Sequence, residues 1–270
     1  PVDICMYEEN LRFPEAIALL ASRFNVTDEL KRSVNKPDIR KRPATADEAE
    51  GSKFFELEEK FTDEQLQVLG PRVKQEHVDA LHWYVAKSIS YVRNREVTTK
   101  YTTPTYPIFM RECIVAKKDG STDKFYKIYE PLNPDKQWRF SYTPDGGKPK
   151  LYINGFAELQ KAYRDFNAQE EKAFFNDAKN QSAQYKEQKM KEAFICSGER
   201  DALCVRALGC HPLWFNSETY KVTPEEIKEI YKYVERIYNI PDIDDTGVRK
   251  GTELALRFLD IYTIWLPNLL

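Results

Sequence analysis

Residues 237–256 read IYNIPDIDDTGVRKGTELAL, in which a short apolar run leads into a cluster of aspartates and then a helical pattern. The run 237–240 has strand character and ends in the acidic residues Asp242, Asp244 and Asp245. Gly247 then opens a segment with helical spacing. This order predicts a strand, an acidic turn and a helix.

The stretch 193–203, AFICSGERDAL, has the same order of features. Its apolar run breaks at Gly198, and Glu199 and Asp201 lead the helical pattern that follows. In an open α/β sheet, ligands bind at the carboxyl ends of the strands. The two acidic turns are therefore expected to share one edge of the sheet and to form one candidate metal site.

Strand and helix patterns alternate through the rest of this region. A short strand at 212–215 precedes Asn216 and Ser217, a helix runs from Thr223 to about Arg236, and the last strand covers 261–266. The alternation of strands and helices with short links predicts a parallel sheet flanked by helices. The fold class expected for the whole chain is therefore α+β or α/β, with this parallel part at the carboxyl end.

Carboxylates in this arrangement suit a hard divalent cation. Mg²⁺ prefers oxygen ligands and keeps several waters, so a few convergent carboxylates are enough to bind it. Asp242 and Asp244 are two residues apart and point to the same side if strand geometry persists. An alternative reading is an ordinary turn rich in aspartate that caps the next helix, and for Glu199 a purely structural role is an open alternative.

Gly198 with Asp201, followed by the DxDxxG element at 242–247, resembles the Toprim domain of bacterial-type DNA primases, type IA and II topoisomerases and some nucleases. The resemblance covers residues 189–270. It implies phosphoryl transfer with Mg²⁺ or Mn²⁺. The residues that it implies for catalysis are Glu199, Asp201, Asp242 and Asp244, and those for metal binding are Asp242, Asp244, Asp245 and Glu199.

The chain departs from the family at one position. Toprim domains usually have a glutamate immediately before the glycine, and here Ser197 stands before Gly198. Glu199 is the nearby carboxylate that could take over its role. We therefore expect Glu199 to be as important as the aspartates and Ser197 to be replaceable.

Residues 89–155 alternate β-branched and aromatic residues between turn signals, which predicts an antiparallel meander. Cations interleave with aromatic rings there, as single-stranded nucleic acid requires. The stretch 125–140, FYKIYEPLNPDKQWRF, also resembles the basic subdomain before Toprim in primases. The nucleotide or nucleic-acid contacts expected on this basis, together with two from the parallel part, are Lys127, Arg139, Lys136, Lys124, Asn216 and Ser217.

Strand alternation sharpens the expectation for Lys127. It places Phe125, Lys127 and Tyr129 on one face and Tyr126 and Ile128 on the other. A core made by the second pair would leave Lys127 pointing at substrate. The alternative is a half-buried sheet with aromatic residues inward and lysines outward.

Upstream, residues 12–21 read RFPEAIALLA and resemble the segment after the zinc ribbon of bacterial and phage primases. This implies a helical segment at 1–30 and zinc only in a domain upstream of this sequence. Residues 31–53 are poor in apolar residues and predict a flexible linker, with a basic cluster at 40–42 that is either solvated or holds nucleic-acid backbone. Residues 54–188 are expected to form the basic subdomain with connector helices.

The composition gives limits rather than a function. Lys+Arg 41 against Asp+Glu 43 leaves no overall charge to attract nucleic acid, so such binding needs a local basic face. Five scattered cysteines favour a reduced protein, without a disulfide framework or a complete zinc site. No apolar run has the roughly 18 residues of a membrane span, and no signal peptide is evident. A soluble protein of the cytoplasm, in a bacterial cell or a phage-infected host, with no membrane partner is expected.

The resemblance implies a primase catalytic core, which makes short RNA primers on single-stranded DNA from ribonucleoside triphosphates and works with a fused or separate replicative helicase. A Toprim nuclease is an alternative enzyme. A topoisomerase is disfavoured because the residues upstream leave no room for its separate tyrosine domain. A third alternative is a Toprim fold that lost catalysis with the missing glutamate and only binds nucleic acid.

Overall fold

A computed structural model describes residues 37–116, 122–144, 153–177, 183–215 and 220–267, together with residues 6–9, 15, 19, 20, 22 and 23. Two compact units divide the chain. The first unit contains Pro1–Leu57, Ala86–Phe109 and Ile128–Ser141, and the second contains Glu58–Val85, Met110–Lys127 and Tyr142–Leu270. Both units are discontinuous along the chain, whereas the sequence predicts linear segments.

The strands are β1 (Asp38–Pro43), β2 (Lys53–Leu57), β3 (Trp83–Arg93), β4 (Glu96–Tyr101), β5 (Phe109–Ala116), β6 (Thr122–Tyr129), β7 (Phe140–Thr143), β8 (Ile153–Asn154), β9 (Met190–Cys196), β10 (Pro212–Phe215), β11 (Val234–Ile240) and β12 (Ile261–Thr263). The helices are α1 (Asp63–Leu69), α2 (Gln75–Ala80), α3 (Phe156–Asn176), α4 (Glu199–Ala207), α5 (Pro224–Ile230) and α6 (Asp245–Arg257). Most of the predicted amino-terminal helix lies outside the described residues.

Seven strands form one sheet in the order β1-β4-β3-β5-β6-β7, with β2 paired to β3. The hairpin between β3 and β4 has a two-residue turn, Asn94-Arg95, in which both residues have positive φ. Both backbone amides of this turn donate to the carboxylate of Glu50. A positive φ at Arg95 is unusual for a residue with a side chain, so the sequence gives only a weak signal for this turn.

The prediction of an irregular linker is wrong for 38–43, which form β1 and pair antiparallel with β4. All six residues of β1 are exposed, so no apolar alternation marks the strand. Its ladder is supported by charge pairs on an open edge, including Lys41 with Glu96 and Arg42 with Glu48. The basic cluster of this segment is thus engaged in ion pairs of the first unit.

Two short helices, α1 and α2, lie within residues 62–82. Thr62 and Gln65 form a reciprocal capping box at the start of α1, and α2 follows one turn later. His77 accepts a hydrogen bond through Nδ1 from the Lys74 amide, and the carbonyl of His82 accepts one from Glu112. The His77 side chain therefore supports the start of α2, and the His82 backbone contributes to the packing of β5.

The carboxyl-terminal sheet is confirmed as an alternating α/β arrangement. Its strand order is β12-β11-β9-β10-β8, and β9 is parallel to β10 and β11, as β11 is to β12. The core of this part is formed by buried hydrophobic residues from the strands, α3, α5, the segment before α5 and the segment before β12. Helix α5 ends at Ile230, so the prediction that it continues to about Arg236 is wrong, because Val234 already belongs to β11.

The end of the segment 89–155, which was predicted to form one meander, belongs to a different sheet. Residues Ile153–Asn154 form β8 and pair antiparallel with β10 in the second unit. The buried Asn154 accepts a hydrogen bond from the Arg111 guanidinium at 2.7 Å and donates one to the Trp214 carbonyl. Gly155 follows with φ +81, and a Cβ there would lie 2.3 Å from the Pro212 carbonyl oxygen, so only glycine fits.

Candidate active site at the ends of two parallel strands

The two acidic turns lie at the ends of neighbouring strands. β9 and β11 run parallel and in register, with Cys196 opposite Ile240 at their carboxyl ends. Gly198 is the N-cap of α4, and Asp244 is the N-cap of α6. A direct hydrogen bond joins the two turns: the Asp242 amide donates to Ser197 Oγ at 2.7 Å, across 45 positions of sequence.

Ser197 holds the acidic turn after β11. Its hydroxyl accepts the hydrogen bond from the Asp242 amide and donates to the Ile240 carbonyl at 3.4 Å. Because these contacts tie the end of β9 to the first residues beyond β11, Ser197 acts as a clamp on the turn. From the sequence, Ser197 was considered only as a replacement for the family glutamate. A hydroxyl residue at the end of a strand is the signal that could have indicated its role in holding the turn.

Gly247 and Asp244 fix the other side of the turn. Oδ1 of Asp244 accepts a hydrogen bond from the Gly247 amide at 2.7 Å and so caps α6. A Cβ on Gly247 would lie 2.3 Å from the Asp242 carbonyl oxygen, so this position requires glycine for close approach. The alternative interpretation of the turn, in which an aspartate caps the next helix, is therefore correct for Asp244. The cap uses one oxygen of a carboxylate that can accept about four hydrogen bonds or metal contacts, so capacity for a metal ion remains.

Asp201 and Asp242 are electrostatically coupled. Burial raises the pKa of Asp201, and the charge of Asp242 raises it further. Burial also raises the pKa of Asp242, with a second contribution from the charge of Asp244, while the Ser197 hydroxyl opposes the shift. Crowded carboxylates repel one another, and a cation relieves that repulsion. The turn therefore carries negative charge that favours binding of a cation.

Glu199 lies in a different environment from the aspartates. It is 6% exposed, and its Oε2 forms an ion pair with Lys127 Nζ at 2.7 Å within the second unit. Its Oε1 is buried and has no hydrogen-bond partner among the described residues. The same ammonium lies 6.0 Å from the ring centroid of Tyr142. The sequence did not predict this pair, which joins residues 72 positions apart.

The expectation that Lys127 points freely at substrate is wrong. Its side chain is only 12% exposed, and Phe125 and Tyr129 on the same strand face are buried as well. Ile128 on the opposite face is buried too. Both faces of β6 are thus covered, and alternation within one strand cannot reveal that.

The other predicted contacts have separate surroundings. Lys124 pairs with Glu112, and the Arg139 Nε donates to the Asn133 carbonyl within the first unit. Asp245 is exposed in the first turn of α6. Asn216, Ser217 and the side chain of Lys136 lie outside the described residues.

The donor chemistry of this site fits Mg²⁺ or Mn²⁺, but it does not form a closed cage. Within the ranges described above, no three histidine, cysteine, aspartate or glutamate side chains are grouped so that they could hold one metal ion. The predicted set of Asp242, Asp244, Asp245 and Glu199 is therefore not assembled around one point. Mg²⁺ is often held by one or two carboxylates and several waters, and Asp242 with Asp244 suits that mode.

We expect Ser197→Ala to destabilise the fold by about 1–2 kcal/mol, because it leaves the Asp242 amide and the Ile240 carbonyl without their shared partner. Thermal unfolding measures this loss of stability. Ser88→Ala, which changes a buried serine of the first unit, is the control. Divalent-metal affinity should fall together with stability. A variant that unfolds like the parent and binds metal equally well would contradict the clamp.

We expect the stability difference between the parent and Asp242→Asn to depend on pH. An acid with a raised folded-state pKa binds a proton on folding, so the parent gains stability as the pH falls through the raised values toward the ordinary 3.8. Asp242→Asn removes one of these groups and lowers the repulsion on Asp201, so it should be more stable than the parent at neutral pH. This advantage should shrink toward pH 4, and urea unfolding in EDTA across that range measures it. An advantage that is the same at every pH would contradict the coupling.

No protein-family model matches this chain, and no curated protein sequence matches it. Among the described residues no helix is long and apolar enough to cross a membrane. Solved structures with a similar fold include a DNA primase domain from Pseudomonas aeruginosa, with 14% identity over 63% of this chain and 46% of that one and a TM-score of 0.38.

Two further solved structures are similar to this chain. The E. coli primase catalytic core has 12% identity over 76% of this chain and 65% of that one, with a TM-score of 0.43. A fragment of the Aquifex aeolicus primase with zinc-binding and RNA polymerase domains has 11% identity over 100% of this chain and 64% of that one, with a TM-score of 0.45. The chain thus spans about half to two thirds of these primases, and the likeness at these identities concerns the fold alone.

Proposed function

We propose that this chain is the Toprim-containing catalytic core of a DNA primase, which joins ribonucleotides on a single-stranded DNA template by metal-dependent nucleotidyl transfer. The observation that carries the proposal is the meeting of the DxDxxG turn at 242–247 with the Gly198 turn at the ends of two neighbouring parallel strands. The electrostatic coupling of Asp201 and Asp242 supports it.

In this proposal Asp242 and Asp244 would hold Mg²⁺ or Mn²⁺, and the ion would supply charge neutralisation and alignment for the transferred phosphoryl group. Ser197 and Gly247 would keep the two carboxylates in position through the contacts described above. Asp201 would contribute negative charge from the start of α4. Lys127 would fix Glu199 rather than contact the substrate.

The single-strand contact is proposed for the first unit. Trp138 is 64% exposed, Phe140 is 45% exposed, and Arg139 lies between them in sequence. The Phe140 ring stacks on Tyr129 with centroids 4.8 Å apart, which gives it a rigid support. Exposed rings beside a cation suit single-stranded nucleic acid, because bases stack on the rings while the cation neutralises a phosphate.

We expect Trp138→Ala to weaken binding of single-stranded DNA by about 1–3 kcal/mol, the typical contribution of one stacked base. Adding Arg139→Gln should flatten the dependence of log affinity on log salt concentration by about one unit. A titration of labelled single-stranded DNA at several salt concentrations tests both, with Leu259→Ala as a control that removes an exposed apolar side chain of the second unit. Unchanged affinity and slope would contradict a binding role for this surface.

Template-directed incorporation of labelled ribonucleotides tests the proposed activity directly. The chain is incubated with single-stranded DNA, the four ribonucleoside triphosphates and Mg²⁺ or Mn²⁺, and the RNA products are separated by length. Products should require template and metal and should disappear with EDTA. Partnership with a replicative helicase and a zinc domain upstream belong to the same proposal.

Two alternatives make different predictions in this assay. A Toprim nuclease would degrade DNA without added nucleotides. A fold that only binds nucleic acid would show neither activity, and the replacement of the family glutamate by Ser197 together with the pairing of Glu199 with Lys127 favours it. Absence of both products, with intact DNA binding, would select this last alternative.

A further inference from the structure

A second candidate site adjoins the acidic turn, within the second unit. A cavity of about 400 Å³ is lined by the ends of β9 and β11, the segment 220–222 and one side of α6. Ser197 and Gly247, which hold the acidic turn, belong to its lining together with Pro241. The side chains of Asp242 and Asp244 are not part of its lining. The cavity is therefore adjacent to the proposed metal site and distinct from it.

A buried amide in the lining of this cavity has an unused hydrogen-bond donor. Asn239 lines the cavity and is 5% exposed, and its Nδ2 has no hydrogen-bond partner among the described residues. Thr263 is its register partner on β12, and the Thr263 Oγ1 is also buried without a partner in that part of the chain. Buried polar groups are normally hydrogen-bonded, so these two neighbouring groups on adjacent strands mark a polar spot beside the cavity.

The walls and rim combine apolar, aromatic and cationic groups. Ile195, Val222 and Leu254 provide an apolar lining, and the rings of Phe215 and Tyr220 stack at one side with centroids 4.8 Å apart. Among the described residues, the charged groups of the lining are three cations and one acid, namely Lys221, Lys250, Arg257 and Glu253. Glu253 is paired with Lys250, so this described part of the lining keeps a net positive charge.

We propose that this cavity binds a nucleoside monophosphate without a divalent metal. Its volume lies within the roughly 300–1,000 Å³ of small-molecule sites. A base would pack on the aromatic and apolar walls, while the phosphate would meet the cationic rim. Phosphate alone would make no use of the apolar wall, and a purely apolar ligand would make no use of the cationic rim.

Such a ligand would act on the acidic turn through the residues that the two sites share. Ser197 and Gly247 contact Asp242 and Asp244 and also line the cavity. Occupancy would therefore restrain the residues that position the carboxylates. Binding of the nucleotide goes beyond the proposed polymerase activity, whereas its effect on the turn rests on that function.

Calorimetric titration in EDTA, without template, tests the site. The probes are AMP, GMP, CMP and UMP, with the matching nucleosides and inorganic phosphate for comparison. At least one monophosphate should bind tighter than its nucleoside and than phosphate. The double variant Lys250→Gln/Arg257→Gln and the cavity-filling Leu254→Trp should each lower that affinity at least tenfold, whereas Lys228→Gln, an exposed cation of α5 outside the lining, should not.

Titration in EDTA separates this site from the metal site, because no divalent ion is present to bridge the nucleotide to the carboxylates. A strict requirement for Mg²⁺, or equal affinity in the rim variants and the parent, would overturn the proposal. So would a parent that binds no monophosphate at millimolar concentration. Since none of these measurements involves template or polymerisation, they remain informative if the primase activity fails.

Discussion

Asp242→Asn and Asp244→Asn are each expected to lower primer synthesis by on the order of 10² or more, because a metal ion supplies several kcal/mol of transition-state stabilisation and each 1.36 kcal/mol is a factor of ten. Both aspartates belong to the turn that Ser197 and Gly247 hold in place. Asparagine keeps the size of the side chain and removes the charge that a divalent cation needs.

The fold should survive the Asp242 substitution. The pKa of Asp242 is raised by burial and by Asp244, so the folded state holds its negative charge at a cost in free energy. Asp244→Asn changes the residue whose Oδ1 caps α6. Asparagine is also a good N-cap residue, so the helix should keep its cap in this variant. Circular dichroism and thermal unfolding check that loss of activity is not loss of fold.

The matched control is Glu225→Gln, an exposed acid in the first turn of α5. It removes the same charge at another helix start and should keep full activity. Added Mg²⁺ at ten times its Kd should stabilise the parent by roughly 1.4 kcal/mol and should not stabilise Asp242→Asn. Full primer synthesis by either aspartate variant would reject the assignment of the metal site to this turn.

Lys127→Met is expected to destabilise the fold by about 3–5 kcal/mol, the usual cost of removing one partner from a buried ion pair. Glu199 would remain buried with neither carboxylate oxygen hydrogen-bonded, since its Oε1 already has no partner among the described residues. At about 2–4 °C per kcal/mol for a chain of this size, the unfolding midpoint should fall by on the order of 10 °C.

The double variant Lys127→Met/Glu199→Met should recover most of this stability, because apolar residues of similar volume replace a buried pair at little cost. The exposed pair of Lys161 with Asp165 on α3 serves as the control. Lys161→Met should change stability by less than about 1 kcal/mol, as exposed pairs do. Equal destabilisation by Lys127→Met and by the double variant would contradict a pairing role.

Activity of the stable double variant decides between two roles of Glu199. If Glu199 serves only as the partner of Lys127, primer synthesis should persist in that variant. If Glu199 replaces the glutamate that the family places before the glycine, synthesis should be lost as completely as in Asp242→Asn. Thermal unfolding and ribonucleotide incorporation, measured on the same preparations, separate the two results.

The sequence by itself determined the order of strands and helices from Met190 onward and the place of both acidic turns. Local signals were sufficient there, because apolar runs, a capping threonine and Gly198 each mark their own position. Parallel pairing of β9 with β11 then follows from the alternation of strands and helices, and it brings the two turns to one edge.

Only the tertiary structure decided which residues meet across long separations in the chain. The pairing of Lys127 with Glu199, the Ser197 clamp and the cavity beside Asn239 each join segments that no local pattern relates. Strand β1 was not predicted for a similar reason. Its residues are all exposed, so no apolar pattern marks it, and it is stabilised by backbone hydrogen bonds to β4. Periodicity reports which face of an element is apolar, whereas the partner of a buried charge or of an edge strand depends on packing between distant segments.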